Sequence, residues 1–350
     1  MVKEYGYEYD AVLDEKIYKE TEGQVISGSI LGGTCLRSGR DALKAIAREY
    51  EPTIALLPAL SCDSMIYPFE QYGHKIRYYK LKPDYTIDLH SFDINEEQVL
   101  FLYMDYFGRP SICDKDLMKL REYKNIAFIE DRTHNLIWEQ KSTFQPDYTI
   151  ASLRKWLPIP DGGLLWGKIN KPLGKDTAFS SIRLKAQCMR REYLQHGDES
   201  IKREYRKIFS TVSELMDHDE PSAMSAYSYE LARNADWERI RTIRHDNAAT
   251  LISVLQKSSH ISFIQEQTGY SDLYVPFMVR NRDEVQKRLS GKGIFNTIIW
   301  PLRPTQKEKC EIAKQTEENM LAAPCDQRYT TEDMQYIGAE IVRTIEDVNK

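Results

Sequence analysis

Short apolar runs alternate with helical patterns through the first half of the chain, and this alternation limits the possible folds more than any other feature. The predicted strands are residues 53–57, 75–81, 99–104, 126–130, 148–153 and 163–166. Between them lie helical patterns such as Leu43, Ile46, Ala47 and Tyr50, with apolar residues at helical spacing after Ser38 and Asp41, which resemble a capping box. Alternating strands and helices are typical of an α/β domain with a mostly parallel sheet.

The second half of the chain differs in charge and in its predicted secondary structure. Residues 183–255 are charged and helical, and strand-like runs return at 272–279 and 296–300 with a helix at 282–290 between them. Residues 331–348 are predicted to form a last amphipathic helix. We therefore predict a large domain, residues 1–240, with a mostly parallel central sheet flanked by helices. A smaller C-terminal α+β domain, residues 241–350, follows it, and the N-terminal segment is expected to pack on that small domain.

Charge and hydropathy exclude several classes of protein. The 350 residues carry a formal net charge of −5, so no overall basic field favours nucleic acid. No apolar stretch approaches the roughly 20 residues that cross a bilayer, and the polar N-terminus lacks a signal-peptide core. We expect a cytoplasmic protein that binds neither nucleic acid nor membrane. Its six scattered cysteines have no zinc-ligand spacing, so we predict no metal site, and reduced packed thiols are the expected state.

A first candidate site segment is Ser38-Gly39-Arg40-Asp41, a glycine turn that opens a helix. The free N–H groups and positive end of a helix N-terminus together bind phosphate. An ordinary capped helix is the simpler interpretation of this segment taken alone.

A second candidate segment places Asp131 and His134 after an apolar strand. Open α/β sheets bind ligands at the carboxyl ends of their strands. A carboxylate there can pair with a protonated pyridine nitrogen and keep the ring an electron sink. His134 could bond a ring hydroxyl or hold Asp131. Taken singly, Asp131 could equally be a helix cap and His134 a structural histidine.

A third candidate segment contains Ser152, Arg154 and Lys155, followed by a proline-rich turn and Gly162-Gly163. Partial burial and a neighbouring cation both favour the neutral, nucleophilic form of a lysine amine. Lys155 is therefore a candidate Schiff-base nucleophile, and Ser152 could add a hydroxyl to a phosphate. A solvated Arg–Lys pair is the more ordinary interpretation, so the inference depends on the order and spacing of all three segments.

Taken together, these segments resemble the DegT-type sugar aminotransferases, a branch of the fold-type I enzymes that use pyridoxal phosphate (PLP). The resemblance extends from about Gly32 to Val348 and rests on the following segments: 38–43, 57–62, 130–134, Lys155 with Gly162-Gly163, 293–302 and 323–325. It implies that Lys155 holds PLP and shuttles a proton, and that Asp131 faces the pyridine nitrogen. It further implies that Ser38, Gly39, Arg40 and Ser152 hold the phosphate.

Three positions depart from that family's pattern. Cys62 stands where most relatives carry an aromatic residue that stacks on the cofactor ring, so stacking is weaker or another side chain supplies it. Ser152 precedes Lys155 by an unusually short interval, and the histidine often found between them is missing. Residues 219–225 contain no asparagine, although the matching segment of relatives often brings one to the partner subunit's phosphate.

The resemblance implies transamination from glutamate or a similar donor to a keto sugar, by family analogy nucleotide-linked, in a homodimer. The alternatives are another PLP reaction, such as sugar dehydration or a lyase step, and a non-catalytic sensor of the same fold. Among basic residues, Arg183, Lys185, Arg190 and Arg191 could meet a nucleotide diphosphate, but nearby acids favour a solvated helix face. Arg328 could reach a donor carboxylate or serve a domain interface.

Overall fold

A computed structural model describes residues 2–11, 17–18, 30–94, 97–137, 142–175, 178–263 and 272–350, apart from the side chain at position 215. The strands in this part of the chain are β1 (Tyr5–Gly6), β2 (Thr34–Leu36), β3 (Ile54–Pro58), β4 (Lys75–Tyr79), β5 (Val99–Met104), β6 (Ile126–Asp131), β7 (Tyr148–Ser152), β8 (Gly163–Trp166), β9 (Tyr274–Met278), β10 (Ile294–Phe295) and β11 (Met320–Pro324). The helices are α1 (Gly39–Ala47), α2 (Asp63–Gln71), α3 (Asp114–Leu120), α4 (Phe179–His196), α5 (Glu199–His218), α6 (Ala226–Asn234), α7 (Trp237–Leu255), α8 (Arg282–Gly291), α9 (Pro304–Lys309), α10 (Glu311–Asn319) and α11 (Thr331–Val348).

The central sheet has seven strands in the order β2-β8-β7-β6-β5-β3-β4. Five neighbouring strands, β3 to β7, pair in parallel, whereas β8 is antiparallel to both β7 and β2. β5 and β6 are buried along their whole length, as expected for parallel strands covered by helices on both faces. The predicted fold class, a mostly parallel sheet flanked by helices, is confirmed.

The C-terminal part is a smaller layer built on the antiparallel pair β9–β11. Its core includes apolar residues of α7, α8 and α11 around that pair. β1, near the N-terminus, pairs with β10 in parallel. Residue 240 lies inside α7, and the division of the chain at that residue stays a prediction.

One predicted strand is wrong. Residues 296–300 do not form a strand, because the extended pairing ends with β10 at Phe295. Ile299 in this segment is nevertheless buried, at 1% exposure, in the core of the central sheet. Thr297 makes an isolated bridge by exchanging two 2.9 Å backbone hydrogen bonds with Ala322. The apolar run reflects burial of an irregular segment.

Among the helices that the structure describes, none combines the length and apolar character that crossing a membrane requires.

Candidate functional site

The candidate residues converge at one edge of the central sheet, where the parallel strands end. Asp131 is the last residue of β6 and Ser152 the last of β7. Ser152 pairs with Gly163 at the start of β8, and Gly163 pairs in turn with Leu36 at the end of β2. α1 begins three residues after Leu36. Carboxyl ends of parallel strands and a helix N-terminus therefore meet here, the usual ligand position of an open α/β sheet.

Two glycines hold the N-terminus of α1 against this edge. The Gly162 N–H donates to the Arg37 carbonyl at 2.6 Å. A Cβ on Gly163 would lie 2.2 Å from the carbonyl carbon of Ser38, so no larger residue fits without moving the backbone. Gly39 is also close, since a Cβ there would lie 3.4 Å from the Ser152 Cβ. The free N–H groups of the first turn of α1 thus lie beside Ser152.

Ser38 and Arg40 contribute to this region in different ways. The Ser38 hydroxyl caps α1 by accepting from the Asp41 N–H at 3.0 Å, and it donates to the Asp41 carboxylate at 2.7 Å. The guanidinium of Arg40 is directed to α5, where it donates to the Ser213 carbonyl at 3.1 Å and pairs with Asp217. Its backbone N–H remains at the helix N-terminus. Arg40 can therefore hold an anion here through its backbone, whereas its charge is used elsewhere.

Asp131 is buried, and its Oδ1 accepts a 2.8 Å hydrogen bond from the Thr133 N–H. Burial raises the pKa of Asp131, while its bonds with Thr133 and the charge of Lys155 oppose that rise. The Thr133 hydroxyl accepts from the Ser152 N–H at 3.2 Å, which ties the ends of β6 and β7 together. A buried carboxylate in this state gains free energy from a cationic partner such as a pyridinium.

His134 is almost fully buried, with one ring nitrogen engaged and the other open. Its Nδ1 accepts a 3.3 Å hydrogen bond from the Phe107 N–H, which assigns the ring proton to Nε2. Nε2 is buried and has no hydrogen-bond partner in the described part of the chain. Burial, and then the charge of Lys155, lower the pKa of His134, so the ring is neutral. Nε2 is therefore a donor available to a ligand acceptor.

Lys155 closes a 3-10 turn, Leu153–Lys155, directly after β7. The turn is fixed through its neighbour Trp156, whose indole N–H donates to the Thr133 carbonyl at 2.9 Å. The Gln327 amide donates to the Trp156 carbonyl at 2.7 Å, and Arg244 donates to the Lys155 carbonyl at 3.4 Å. The carbonyls of Lys155 and Trp156 are thus held by the C-terminal part of the molecule.

Lys155 also lines a cavity of about 330 Å³. The walls come from the N-terminal segment, the turn after β7, α4 and the C-terminal layer. The lining residues that bear on the chemistry are Glu8, Ser152, Arg154, Lys155, Arg183 and Arg328. This volume accommodates a small substrate.

Cys62 lies at the N-terminus of α2, half-buried, with its Sγ 2.9 Å from the Ser64 hydroxyl oxygen. Two aromatic rings that the sequence argument did not assign to the site flank His134 instead. The ring centroids of Phe107 and Trp300 each lie 5.7 Å from that of His134. In the sequence, Trp300 belongs only to the segment 293–302 that carries the family resemblance, and Phe107 carries no local signal beyond its position after β5.

The solvated helix face expected for the basic residues of α4 is wrong for two of the four. Arg183 and Arg190 are 2% and 1% exposed, whereas Lys185 and Arg191 lie on the solvent side of the helix. Arg328, considered for a donor carboxylate, is engaged within the protein. Its Nε and Nη2 donate to the two carboxylate oxygens of Asp326 at 2.7 Å and 2.8 Å.

The whole fold is similar to that of solved aminotransferases. Helicobacter pylori PseC, an aminotransferase involved in the biosynthesis of pseudoaminic acid, superposes with a TM-score of 0.67 at 14% identity over 99% of this chain and 100% of its own. A DegT DnrJ EryC1 StrS aminotransferase from Brucella abortus gives 0.62 at 14% identity over 95% and 92%. NtdA from Bacillus subtilis, solved with its cofactor PMP, gives 0.63 at 15% identity over 96% and 80%. No protein-family model and no curated protein matches the sequence.

Proposed function

We propose that this chain is a PLP-dependent aminotransferase that moves an amino group from glutamate or a similar donor to a keto sugar, nucleotide-linked by family analogy. The observation that carries the proposal is the arrangement at the edge of the sheet. A helix N-terminus, a buried carboxylate, a histidine with an open ring nitrogen and a lysine meet there within the fold of sugar aminotransferases.

The residues present fit PLP on three independent counts. The first turn of α1 beside Ser152 suits a phosphate, because Gly39 leaves room that a Cβ would fill. The buried Asp131, whose pKa is raised by burial, suits a protonated ring nitrogen. The unpartnered Nε2 of His134 suits a ring hydroxyl oxygen.

Each residue then has a distinct role. The backbone of Gly39 and Arg40, capped by Ser38, and the Ser152 hydroxyl would hold the phosphate. Asp131 would keep the ring nitrogen protonated, and His134 would donate to the ring hydroxyl. When bound, PLP supplies a carbonyl carbon for an amine and a ring that withdraws electrons.

Lys155 would hold PLP as a Schiff base and then carry the proton. With the donor bound beside it, the free Nζ of Lys155 would accept the proton from the donor's α-carbon. Trp156 and Arg244, which fix the backbone beside Lys155, position Nζ for both tasks. Cys62 is assigned to the neighbourhood of the ring, without the stacking that an aromatic side chain provides.

The sugar acceptor is supported by the similar structures, one of which is described as a putative sugar aminotransferase, Spr1654 from Streptococcus pneumoniae. We also propose a homodimer, supported by the family resemblance, and a cytoplasmic location. The latter is supported by the six cysteines, all free and two of them exposed, as is typical of a reducing compartment. Light scattering of the purified protein at several concentrations tests the dimer.

The test of the proposed function is the visible absorption spectrum of the purified chain incubated with PLP. The wild type should show a cofactor band that changes when glutamate is added. Lys155→Ala should lose that response, whereas Lys168→Ala, which removes an exposed lysine after β8, should retain it. A wild type that stays colourless with added PLP would remove the proposal, and a band indifferent to glutamate and to other amino acids would favour a sensor.

A further inference from the structure

Four arginines line the cavity beside Lys155, and two of them are held by several hydrogen bonds within the protein. Arg328 is bidentate to Asp326 and donates to the Glu8 carbonyl at 3.2 Å. Arg244 donates to the Gln327 side chain at 2.8 Å and to the Tyr9 hydroxyl at 2.7 Å, and its Nη1 reaches two backbone carbonyls. All five N–H donors of Arg244 are used, because its Nη2 also donates to the Lys155 carbonyl, and the charge of Arg328 is matched by Asp326.

Of the other two arginines, Arg183 is buried and Arg154 is half-buried, and both have donors to spare. Arg183 is 2% exposed, and only its Nη2 is paired, with Glu8. Its Nε and Nη1 are buried without a hydrogen-bond partner among the described residues, and so is the Nε of Arg154. An unpaired donor of a buried charged group costs more than the ~1–3 kcal/mol lost at a neutral one. These donors therefore represent binding capacity that the described residues leave unused.

The charge of this corner is positive. Arg183 pairs with Glu8, and Arg154 interacts with the carboxylates of Glu8 and, more weakly, Asp161. Burial lowers the pKa of Arg154 to about 9, with the neighbouring charge of Arg183 acting in the same direction and Glu8 opposing it. Burial alone would raise the pKa of Glu8, but Arg183 and then Arg154 bring it below its ordinary value. Glu8 is the carboxylate that lines the cavity with the two guanidiniums, because Asp161 is bonded to Ser225 and Ser228, so the cavity wall can accept a further negative charge.

We propose that Arg154 and Arg183 form a carboxylate subsite that binds the α-carboxylate of the amino donor. This inference rests on the proposed function. The donor's α-carbon must come to Lys155, and its carboxylate is attached to that carbon, so the carboxylate falls in the cavity that Lys155 shares with the two arginines. A guanidinium fork matches a carboxylate bidentately. A phosphate dianion suits this corner less, because Glu8 repels it and the N-terminus of α1 offers a better site.

The first test measures how the donor half-reaction depends on donor concentration, read from the cofactor band. Arg183→Gln and Arg154→Gln should each raise the concentration of glutamate, and of alanine, at half-maximal rate by ~30-fold or more, while the limiting rate changes less. Lys185→Gln removes the same charge from the exposed side of α4 and should change neither. Arg183→Lys should restore part of the loss. The reaction of the bound cofactor with hydroxylamine, which has no carboxylate, should be equal in all variants.

The second test is calorimetric binding of glutarate, a dicarboxylate without an amine, to the same proteins. Glutarate should bind the wild type and Lys185→Gln and bind the two arginine variants at least tenfold more weakly. Equal glutarate binding in all variants overturns the subsite. Loss of PLP affinity in the arginine variants, with an unchanged response to glutamate, also overturns it and assigns the arginines to the phosphate. A wild type that binds glutarate through Arg183 but no PLP would remove the aminotransferase and leave the carboxylate subsite.

Discussion

Gly163 controls the distance between the N-terminus of α1 and the strand that follows Lys155, so Gly163→Ala is the sharpest test of the site's construction. The added Cβ would lie 2.2 Å from the Ser38 carbonyl carbon, 2.3 Å from its oxygen and 2.6 Å from the Gly39 nitrogen. All three atoms belong to the backbone. No side-chain rotation can relieve the contact, so α1 and β8 must separate.

The size of that movement follows from the contact distances. Ordinary contact of a Cβ begins at 3.4 Å, so the 2.2 Å approach requires a shift of about 1.2 Å. Overpacking of this kind typically costs ~1–3 kcal/mol of stability. A displacement of ~1 Å in a binding or catalytic constellation can reduce its effectiveness ~100-fold. Because the displaced atoms belong to the proposed phosphate site, PLP affinity should fall more steeply than stability.

The assays are urea unfolding and an absorbance titration with PLP. Gly163→Ala should lower the free energy of unfolding by ~1–3 kcal/mol and weaken PLP binding by at least tenfold. Gly291→Ala is the matched control, because a Cβ at the end of α8 meets nothing within 4 Å and should raise stability by up to ~1 kcal/mol without affecting PLP. If Gly163→Ala kept both its urea midpoint and its PLP affinity, the close packing of α1 on β8 would be wrong.

Three further predictions test the surroundings of the site. Ser38→Ala and Thr330→Ala each remove a side-chain helix cap and should each lower the free energy of unfolding in urea by ~1 kcal/mol. Only Ser38→Ala should also weaken PLP binding. Equal PLP affinities in the two variants would show that the N-terminus of α1 does not bind the cofactor. Gln327→Met removes the donor to the Trp156 carbonyl and should lower the free energy of unfolding by ~1–3 kcal/mol. It should also slow the half-reaction with glutamate. An unchanged rate would show that the turn positions Lys155 without the hydrogen bond from Gln327. Burial raises the pKa of Asp272 to about 6, so the protonated side chain stabilises the fold below its ordinary pKa and this stabilisation is lost as pH rises through about 6. The free energy of unfolding of Asp272→Asn should therefore rise relative to that of the wild type, by at most ~3 kcal/mol, between about pH 4 and pH 7. A difference between the two proteins that does not depend on pH would contradict this.

The elements with strong local signals were predictable to the residue. The strands at Val99–Met104 and Gly163–Trp166 and the helix at Thr331–Val348 have the predicted bounds. Each is long enough, or apolar enough, for its hydrophobic pattern to be recognised in the sequence, and each is bounded by turn or capping residues. β1 and β2, at two and three residues, are too short to carry a period. Their existence depends on partners distant in sequence, which no local pattern reveals.

The sequence order accounts for which candidate residues meet at the sheet edge, but it does not account for their contacts. The order of Ser38, Asp131 and Lys155 along the chain is a sequence property, and parallel strands bring their carboxyl ends together whatever the loops contain. That Arg40 turns its charge to α5, or that Phe107 and Trp300 flank His134, depends on side-chain packing across elements. Such packing leaves no periodic trace in a single sequence.

The buried arginines of α4 show a signal that was present and misinterpreted. Acidic neighbours suggested a solvated face, yet the buried positions of the helix are Phe179, Arg183, Ala186, Gln187, Arg190 and Tyr193. Phe179, Ala186 and Tyr193 recur every seven residues, and Arg183 and Arg190 stand between them on the same face of the helix. An arginine inside an apolar stripe is buried with its stripe, and a buried guanidinium needs an anion. For Arg183 the protein supplies only part of one, in Glu8, and this shortfall leads to the proposed carboxylate subsite.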